Sequence, residues 1–326
     1  MTAKDLLGPP VKDVSLRDFE TCSDCAEKLL KAYEDMGGFS SRYLYKAFAL
    51  LKEMYSDETT VFLAFTANLV ATGLRGVIAD LIERGYVDVI VTTGGTIDHD
   101  IARSFKNYHR GEFEMDDIEL SEKGIHRLGN ILVPLEAYGP VIEAFTHELL
   151  EELLETKKVW TPSELIEEIG LRLECQTSIL RQAALRNVPV FAPGIVDSAF
   201  GTAVMTFNET LRSRGRESLV LDIVGDMKRI ADIVFSSKKL GAIVLGGGIA
   251  KHHTIWWAQF KGGLDYAIYI TTAVEWDGSL SGARTREAIS WGKIKRLAKH
   301  VTVPADATVV FPLLAMALMS IRRRGK

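Results

Sequence analysis

Few of the features that would assign this chain to a special class are present. Three cysteines in 326 residues cannot build a framework of paired disulfides, and an intracellular context is the simplest reading. Neither charge dominates: 39 Lys+Arg stand against 43 Asp+Glu for a net charge of −4, without the basic excess of a nucleic-acid binder. No apolar stretch of signal-peptide length precedes Pro9-Pro10, which argues against secretion. The most apolar late segment, 309–321, falls short of the ~20 residues that span a bilayer. Pro312 interrupts it, so it reads as core followed by a solvated basic end at Arg322, Arg323 and Arg324. A cytoplasmic protein with no membrane or nucleic-acid partner is expected. Linker-like runs of Pro, Ser or Gly are missing, as are fixed-period repeats, so 1–326 reads as one domain. Cys22 and Cys25 form a CxxC, but no second pair completes a zinc site, and their flanks read as an amphipathic helix with both thiols on one face.

What is present is ordinary globular material, 47% hydrophobic and 25% charged, long enough to bury a sizeable core. The first ~60 residues read as helical. One helix covers 19–36 and stops at Gly37-Gly38, and Ser40-Ser41 can cap a second over 43–55. Beyond residue 60, β-rich runs at 61–65, 87–91, 130–133, 189–192, 242–245, 265–271 and 307–311 alternate with helical periods. Strands separated by helices imply an α/β fold with a mostly parallel sheet flanked by helices. Val70, Leu74, Val77, Ile78 and Leu81 give one apolar stripe to lie on that sheet. Thr161-Pro-Ser-Glu164 is a capping box with Pro162 at the first helical position and Trp160 placed to staple against Leu165.

In a parallel sheet, ligands gather outside the carboxyl ends of the strands. Three exits stand out: Thr66-Ala-Asn-Leu69, Thr92-Thr-Gly-Gly-Thr96 and Gly246-Gly-Gly248. None is a GxGxxG or a GxxxxGK[ST], so spacing alone leaves a phosphate ligand and plain tight turns both open. His252 and His253 follow the third exit and point ~100° apart on a helix, a poor chelating pair. No HExxH accompanies them, so metal is not expected. His252 suits a general base or amine contact, or else a capping or core histidine. The densest polar region runs from Thr271 to Ile294. Within it Lys293 sits beside Trp291, where desolvation favours a free amine able to attack an imine carbon, unless it is simply a lysine in a surface turn.

Several stretches occur together and in order: Gly246-Gly-Gly-Ile-Ala-Lys-His-His253, Asp265-Tyr-Ala-Ile-Tyr-Ile270, Asp277-Gly-Ser279, Ser281-Gly-Ala-Arg284, Glu287-Ala-Ile-Ser-Trp-Gly-Lys293 and Ala305-Asp-Ala307. From about Thr66 to its end, the chain resembles the deoxyhypusine synthase family. Thr92-Thr-Gly-Gly-Thr-Ile-Asp-His99 and His252-His-Thr-Ile-Trp-Trp257 make it most similar to the archaeal branch. The resemblance implies a Rossmann-like NAD-binding region over 61–326 and a transferase for the first step of hypusine biosynthesis. Such enzymes oxidise spermidine with NAD, expel 1,3-diaminopropane and pass the aminobutyl group through an enzyme lysine to one lysine of the initiation factor five-A precursor. It places that nucleophile at Lys293, a Schiff-base lysine, with His252 as its catalytic partner. By the same resemblance Thr66, Ala67, Asn68, Leu69, Val70, Thr93, Gly94, Gly95, Asp197, Gly247, Thr272, Asp306 and Ala307 surround NAD. His252, Gly278, Ser279, Glu287, Trp291 and Asp98 line the amine channel.

A homotetramer with sites between subunits is implied as well. His99, Thr202 and Leu280 stand where the eukaryotic pattern has carboxylates, so the identity of the amine is the open point. Agmatine as donor, or homospermidine synthase-like transfer to a small polyamine, is the rival within the class. A pyridoxal-phosphate enzyme and a noncatalytic NAD-binding scaffold are rivals outside it.

Overall fold

Long β-branched and apolar runs with no alternation belong in a sheet covered on both faces, and five of the runs read from the sequence fall in one. A computed structural model describes residues 2–321, so the basic end at Arg322, Arg323 and Arg324 lies outside the described residues. Six strands form the main sheet: β1 (Thr59–Phe65), β2 (Val89–Val91), β3 (Val190–Phe191), β4 (Lys239–Leu245), β5 (Leu264–Thr271) and β6 (Ile294–Pro304). All pairings are parallel and the order is β6-β5-β4-β1-β2-β3. The chain therefore winds outward in one direction through β1, β2 and β3, and in the other through β4, β5 and β6. The order reverses between β1 and β4, which pair from Thr59 with Lys239 to Phe65 with Leu245. That reversal leaves a crevice at the carboxyl ends of β1 and β4, where this class of sheet binds ligands.

Three expectations need correcting. The 130–133 run forms a strand, Ile131–Pro134, but it pairs antiparallel with Ile125–Leu128 and His109–Arg110 in a separate small sheet. The 307–311 run is the start of a helix, Ala307–Leu318, because the Asp306 carboxylate accepts from the Thr308 amide (2.7 Å) and caps its first turn. The second early helix spans Phe39–Ser56 with Gly38 at its N-cap, so Ser40 and Ser41 lie inside its first turn. Sequence reading also passed over β6. Leu264 pairs with Ile294 and Tyr266 with Lys299, so 295–298 bulge out of register and Leu297 is 97% exposed, which breaks the apolar signature of a strand.

The first sixty residues pack on the same core as the sheet. Helix Ser23–Met36 lies against Ala307–Leu318, and Phe39–Ser56 lies against β6. Ser40 Oγ donates to the Pro304 carbonyl (3.0 Å), Ser320 Oγ to Glu27 (2.8 Å) and Tyr86 OH to the Ile321 carbonyl (3.0 Å). Deeper, the fully buried Arg75 donates to Asp100 (2.6 Å) and to Asp13 (3.0 Å), which ties the segment ahead of the helices to the body of the fold. Among the described residues no helix is long and apolar enough to cross a membrane.

Candidate active site

Each of the six strand exits carries at least one residue expected at the cofactor. Thr66 ends β1 and leads into the 3-10 turn Ala67–Ala71, in which Leu69 and Val70 turn inward and only their backbone faces the edge. Thr93, Gly94 and Gly95 follow β2, and Asp197 lies in the turn after β3, its amide donating to the Gly194 carbonyl (3.1 Å). Gly247 follows β4 and Thr272 follows β5. Asp306 and Ala307 follow β6, where the Ala305 amide donates to the Thr271 carbonyl (3.2 Å). The exits also touch. A Cβ on Gly246 would lie 3.1 Å from Thr66 Oγ1, and one on Gly95 3.0 Å from the Ala67 Cβ. Gly246 and Gly248 have φ of +86° and +63°, a region that strains any residue with a side chain. Asn68 and Asp306 further share a cleft of about 1360 Å³ with Lys12 and Arg110.

Helix Gly248–Gln259 descends from this edge, and its outward face carries the second group. His252 stacks on Trp256 with ring centroids 5.7 Å apart and 20° between planes. Lys293 immediately precedes β6, and its backbone is fixed by bonds from its amide to the Ala288 carbonyl and from the Leu264 amide to its own carbonyl (3.0 Å each). The Lys293 Nζ then lies 5.2 Å from the Trp291 ring and 6.0 Å from the Trp256 ring. Partial burial, with the Lys293 charge adding to it, holds His252 below the ordinary imidazole range, so it is a neutral base at pH 7. Glu287 is exposed in the short helix Thr285–Ser290 that leads to Trp291.

Gly278 and Ser279 lie in the loop after the turn Glu275–Asp277, and that loop is docked on the same helix. Ser281 Oγ accepts from the Gly248 amide (3.2 Å), and a Cβ on Gly247 would collide with Ser281.

Asp98 is not with this group. It is 1% exposed, and its carboxylate accepts from the amides of Ala199 (2.9 Å) and Phe200 (2.8 Å) and from Tyr138 OH (2.9 Å). It thus supplies acceptors to the first turn of helix Ala199–Ser213. Burial raises its pKa, against the opposing pull of those three bonds. Its neighbour His99 is buried against Tyr108 (2.9 Å) and pushed down to about 4 by burial, with the Arg103 charge adding, so it carries no charge.

One lysine escaped the sequence reading. Lys251 is 1% exposed, and burial lowers it to about 8, with Glu287 opposing the shift and Arg284 adding to it. A depressed lysine is the usual mark of a nucleophile, but this Nζ donates to the carbonyls of Leu280 (2.7 Å) and Ala283 (2.6 Å) and lies 4.3 Å from the Tyr269 ring. It is sealed from any substrate. Lys293 is nearly as buried, yet it sits between two tryptophans that are themselves open to solvent. Of these two lysines, Lys293 is the one that borders solvent-open side chains.

The comparisons with known proteins agree with this geometry. The chain is 50% identical over 315 residues to a protein of Ignicoccus hospitalis, covering 96% of this chain and 97% of that one. It is 47% identical over 314 residues to one of Thermoplasma acidophilum, covering 96% and 98%. Both are named "Probable deoxyhypusine synthase". A solved structure from Entamoeba histolytica with the same family assignment aligns with a TM-score of 0.63 at 26% identity, over 91% of this chain and 94% of that one. The family model described as deoxyhypusine synthase matches residues 28–318, and with relatives this similar over nearly their whole length the chain belongs to the deoxyhypusine synthase family, a family of enzymes.

Proposed function

We propose that this chain is a cytoplasmic enzyme that carries the aminobutyl group of spermidine through an imine on Lys293 to one lysine of the initiation factor five-A precursor, with NAD as hydride carrier. The observation that carries this reading is the convergence of all six strand exits on one edge, with a helix leading from that edge past His252 to Lys293. The edge fits a dinucleotide. Helix Gly94–Phe105 begins there without a side-chain cap, and Gly248–Gln259 has none from its N-cap residue, its first amide alone being taken by Ser281, whereas Ala199–Ser213 and Ala307–Leu318 are capped by Ser198 and Asp306. Uncapped amides at the positive end of a helix dipole are what a pyrophosphate needs. A Cβ on Gly94 would meet Ser198 at 2.6 Å, so that turn admits nothing larger than glycine. Thr66, Asn68, Gly94, Gly95, Gly247 and Asp306 would hold the cofactor. Bound there, NAD would supply the hydride acceptor for oxidation of the amine and the hydride for the return step, so no outside redox partner would be required.

The chain's own residues do the rest. His252, neutral at pH 7, accepts the proton released as the amine is oxidised. The Trp291 and Trp256 faces receive a cationic alkylamine, and Glu287 pairs with one ammonium group. The Lys293 amine attacks the imine carbon of the oxidised donor, and 1,3-diaminopropane leaves as its C–N bond breaks. The aminobutyl group stays on Lys293 as an imine until the acceptor lysine displaces it in the same manner. Incubation with NAD, labelled spermidine and the acceptor precursor, followed by mass analysis, should show one acceptor lysine enlarged by an aminobutyl group. Acceptor that gains no label refutes the reading.

A second donor has support of its own. Asp98 is occupied inside the fold, Glu275 is held by Arg284 and Arg286, and Asp277 receives the Ser279 amide. Of the carboxylates near Lys293, Glu287 has no hydrogen-bond or ion-pair partner among the described residues. A channel with so few anions favours a less charged amine than spermidine, so agmatine belongs in the same assay. We also propose a homotetramer with sites shared between subunits, which the exposed Trp256 and Trp291 beside Lys293, with Phe260 against Trp256, support. Full activity in a species that sediments as a monomer would rule it out.

A further inference from the structure

Lys251 is a fully buried cation with no carboxylate among the described residues in contact with its ammonium, an arrangement that burial opposes and that persists only where the donors are needed. Both of its hydrogen bonds go to one short stretch, the carbonyls of Leu280 and Ala283. Those carbonyls flank Ser281, which receives the Gly248 amide at the head of the same helix. Val274 lies so near Gly282 that a Cβ there would collide with its carbonyl. The loop 278–284 contains no helix or strand of its own. Its place against the cofactor edge is set from one side by Lys251 and Ser281.

We propose that Lys251 is a positioning residue, a latch whose buried ammonium holds the loop 278–284 onto helix Gly248–Gln259 and so fixes Gly278 and Ser279 for binding the amine. The role of Gly278 and Ser279 rests on the function proposed above; the latch itself does not. Lys251 does not react, because both faces of its Nζ are occupied by carbonyls and by the Tyr269 ring. The groups that face it are Tyr269 from β5, Arg284 from the loop and Glu287 from the following short helix. Burial raises the Tyr269 hydroxyl out of the range where it would titrate. Lysine 251, lowered to about 8, is therefore a group that changes charge between pH 7 and 9.5 at this contact.

Lys251→Met keeps the volume and removes the donors, and two measurements on the full-length protein test the proposal. Hydrogen exchange across 278–284 should quicken by about tenfold or more in the variant, the loss of charged hydrogen bonds, while β1 and β4 stay protected. The KM for the amine should rise by a similar factor with the dissociation constant for NAD unchanged. Unchanged exchange overturns the latch, and faster exchange with an unchanged amine KM overturns its link to the amine. Wild-type protein that forms no NADH with any polyamine marks the failure of the proposed function instead, and the exchange measurement still decides the latch. Should Lys251→Met not fold, the wild-type protein decides alone. After correction for base-catalysed exchange, protection of 278–284 should fall between pH 7 and 9.5, and protection that holds constant refutes the proposal.

Discussion

Replacing Asp98 by asparagine separates two roles for one carboxylate. A ligand for an ammonium group would show itself in amine binding, whereas the geometry ties Asp98 to the first turn of helix Ala199–Ser213 through two amides and Tyr138. Asparagine offers one oxygen where the carboxylate offers two, and turns its NH2 toward an N–H that is already a donor. Leaving a buried N–H unpaired costs about 1–3 kcal/mol. Relief of the buried charge offsets part of this, so a net loss of about 2 kcal/mol is expected. At roughly 2–4 °C per kcal/mol for a large domain, the melting temperature should drop by about 5 °C. The pH dependence has a definite sign. Burial holds the Asp98 pKa above its ordinary value of 3.8, so its protonated form is favoured in the fold, and that contribution is lost as pH rises through the raised value. Asparagine does not titrate, so the variant should be penalised more at pH 4 than at pH 7.5. Calorimetry at the two pH values and steady-state kinetics well below the melting temperature provide the readouts. An unchanged melting temperature together with a tenfold rise in the amine KM would refute the reasoning and return Asp98 to the channel.

Lys293→Ala and Lys293→Arg should both reduce acceptor labelling to background while circular dichroism stays that of the wild type, since arginine remains charged and cannot form an imine. Wild-type labelling by either variant would dismiss Lys293 as the nucleophile. Glu287→Gln should raise the amine KM about fivefold, the worth of one solvent-screened ion pair, and leave the NAD dissociation constant alone; equal effects on both would move Glu287 out of the amine channel. Glu27, lowered to about 2 chiefly by Lys31, with Ser320 and Lys52 assisting against its burial, stabilises the fold above its ordinary pKa of 4.5 and loses that effect as pH falls toward 2. Glu27→Gln should therefore cost about 1 kcal/mol at pH 7 and only a small part of that at pH 2, as read from denaturant midpoints.

Much of the sheet was readable because 61–65, 242–245 and 265–271 are unbroken apolar runs, and such runs fit only a strand covered on both faces. Composition does not name a strand's partner, which is why 130–133 looked like the others and yet pairs outside the main sheet. Local β-propensity misled at 307–311, where Val309 and Val310 follow a capping aspartate that sets the helix first. β6 was hidden because its bulge turns Arg296 and Leu297 outward.

For the site, the glycine exits and the Trp-Gly-Lys293 context were visible as chemistry before any geometry. Lys251 was not visible, since a lysine is expected at the surface and nothing local announces that two loop carbonyls await it. The bonds of Asp98 were hidden for a related reason: a carboxylate read along the sequence does not show which distant helix its oxygens meet.

The early helices have a consequence for how the chain is made. Ser23–Met36 and Phe39–Ser56 complete their burial against β6 and Ala307–Leu318, through contacts such as Ser40 with Pro304 and Glu27 with Ser320. On a ribosome they emerge long before their partners. At about 5–20 residues per second, the apolar faces of Leu30, Leu44 and Phe48 wait on the order of ten seconds or more for their cover. The same delay separates β1 from β4, its neighbour in the sheet. Closure of this core thus waits for the synthesis of β6 and Ala307–Leu318, and the interval before it is when a chaperone has most to protect.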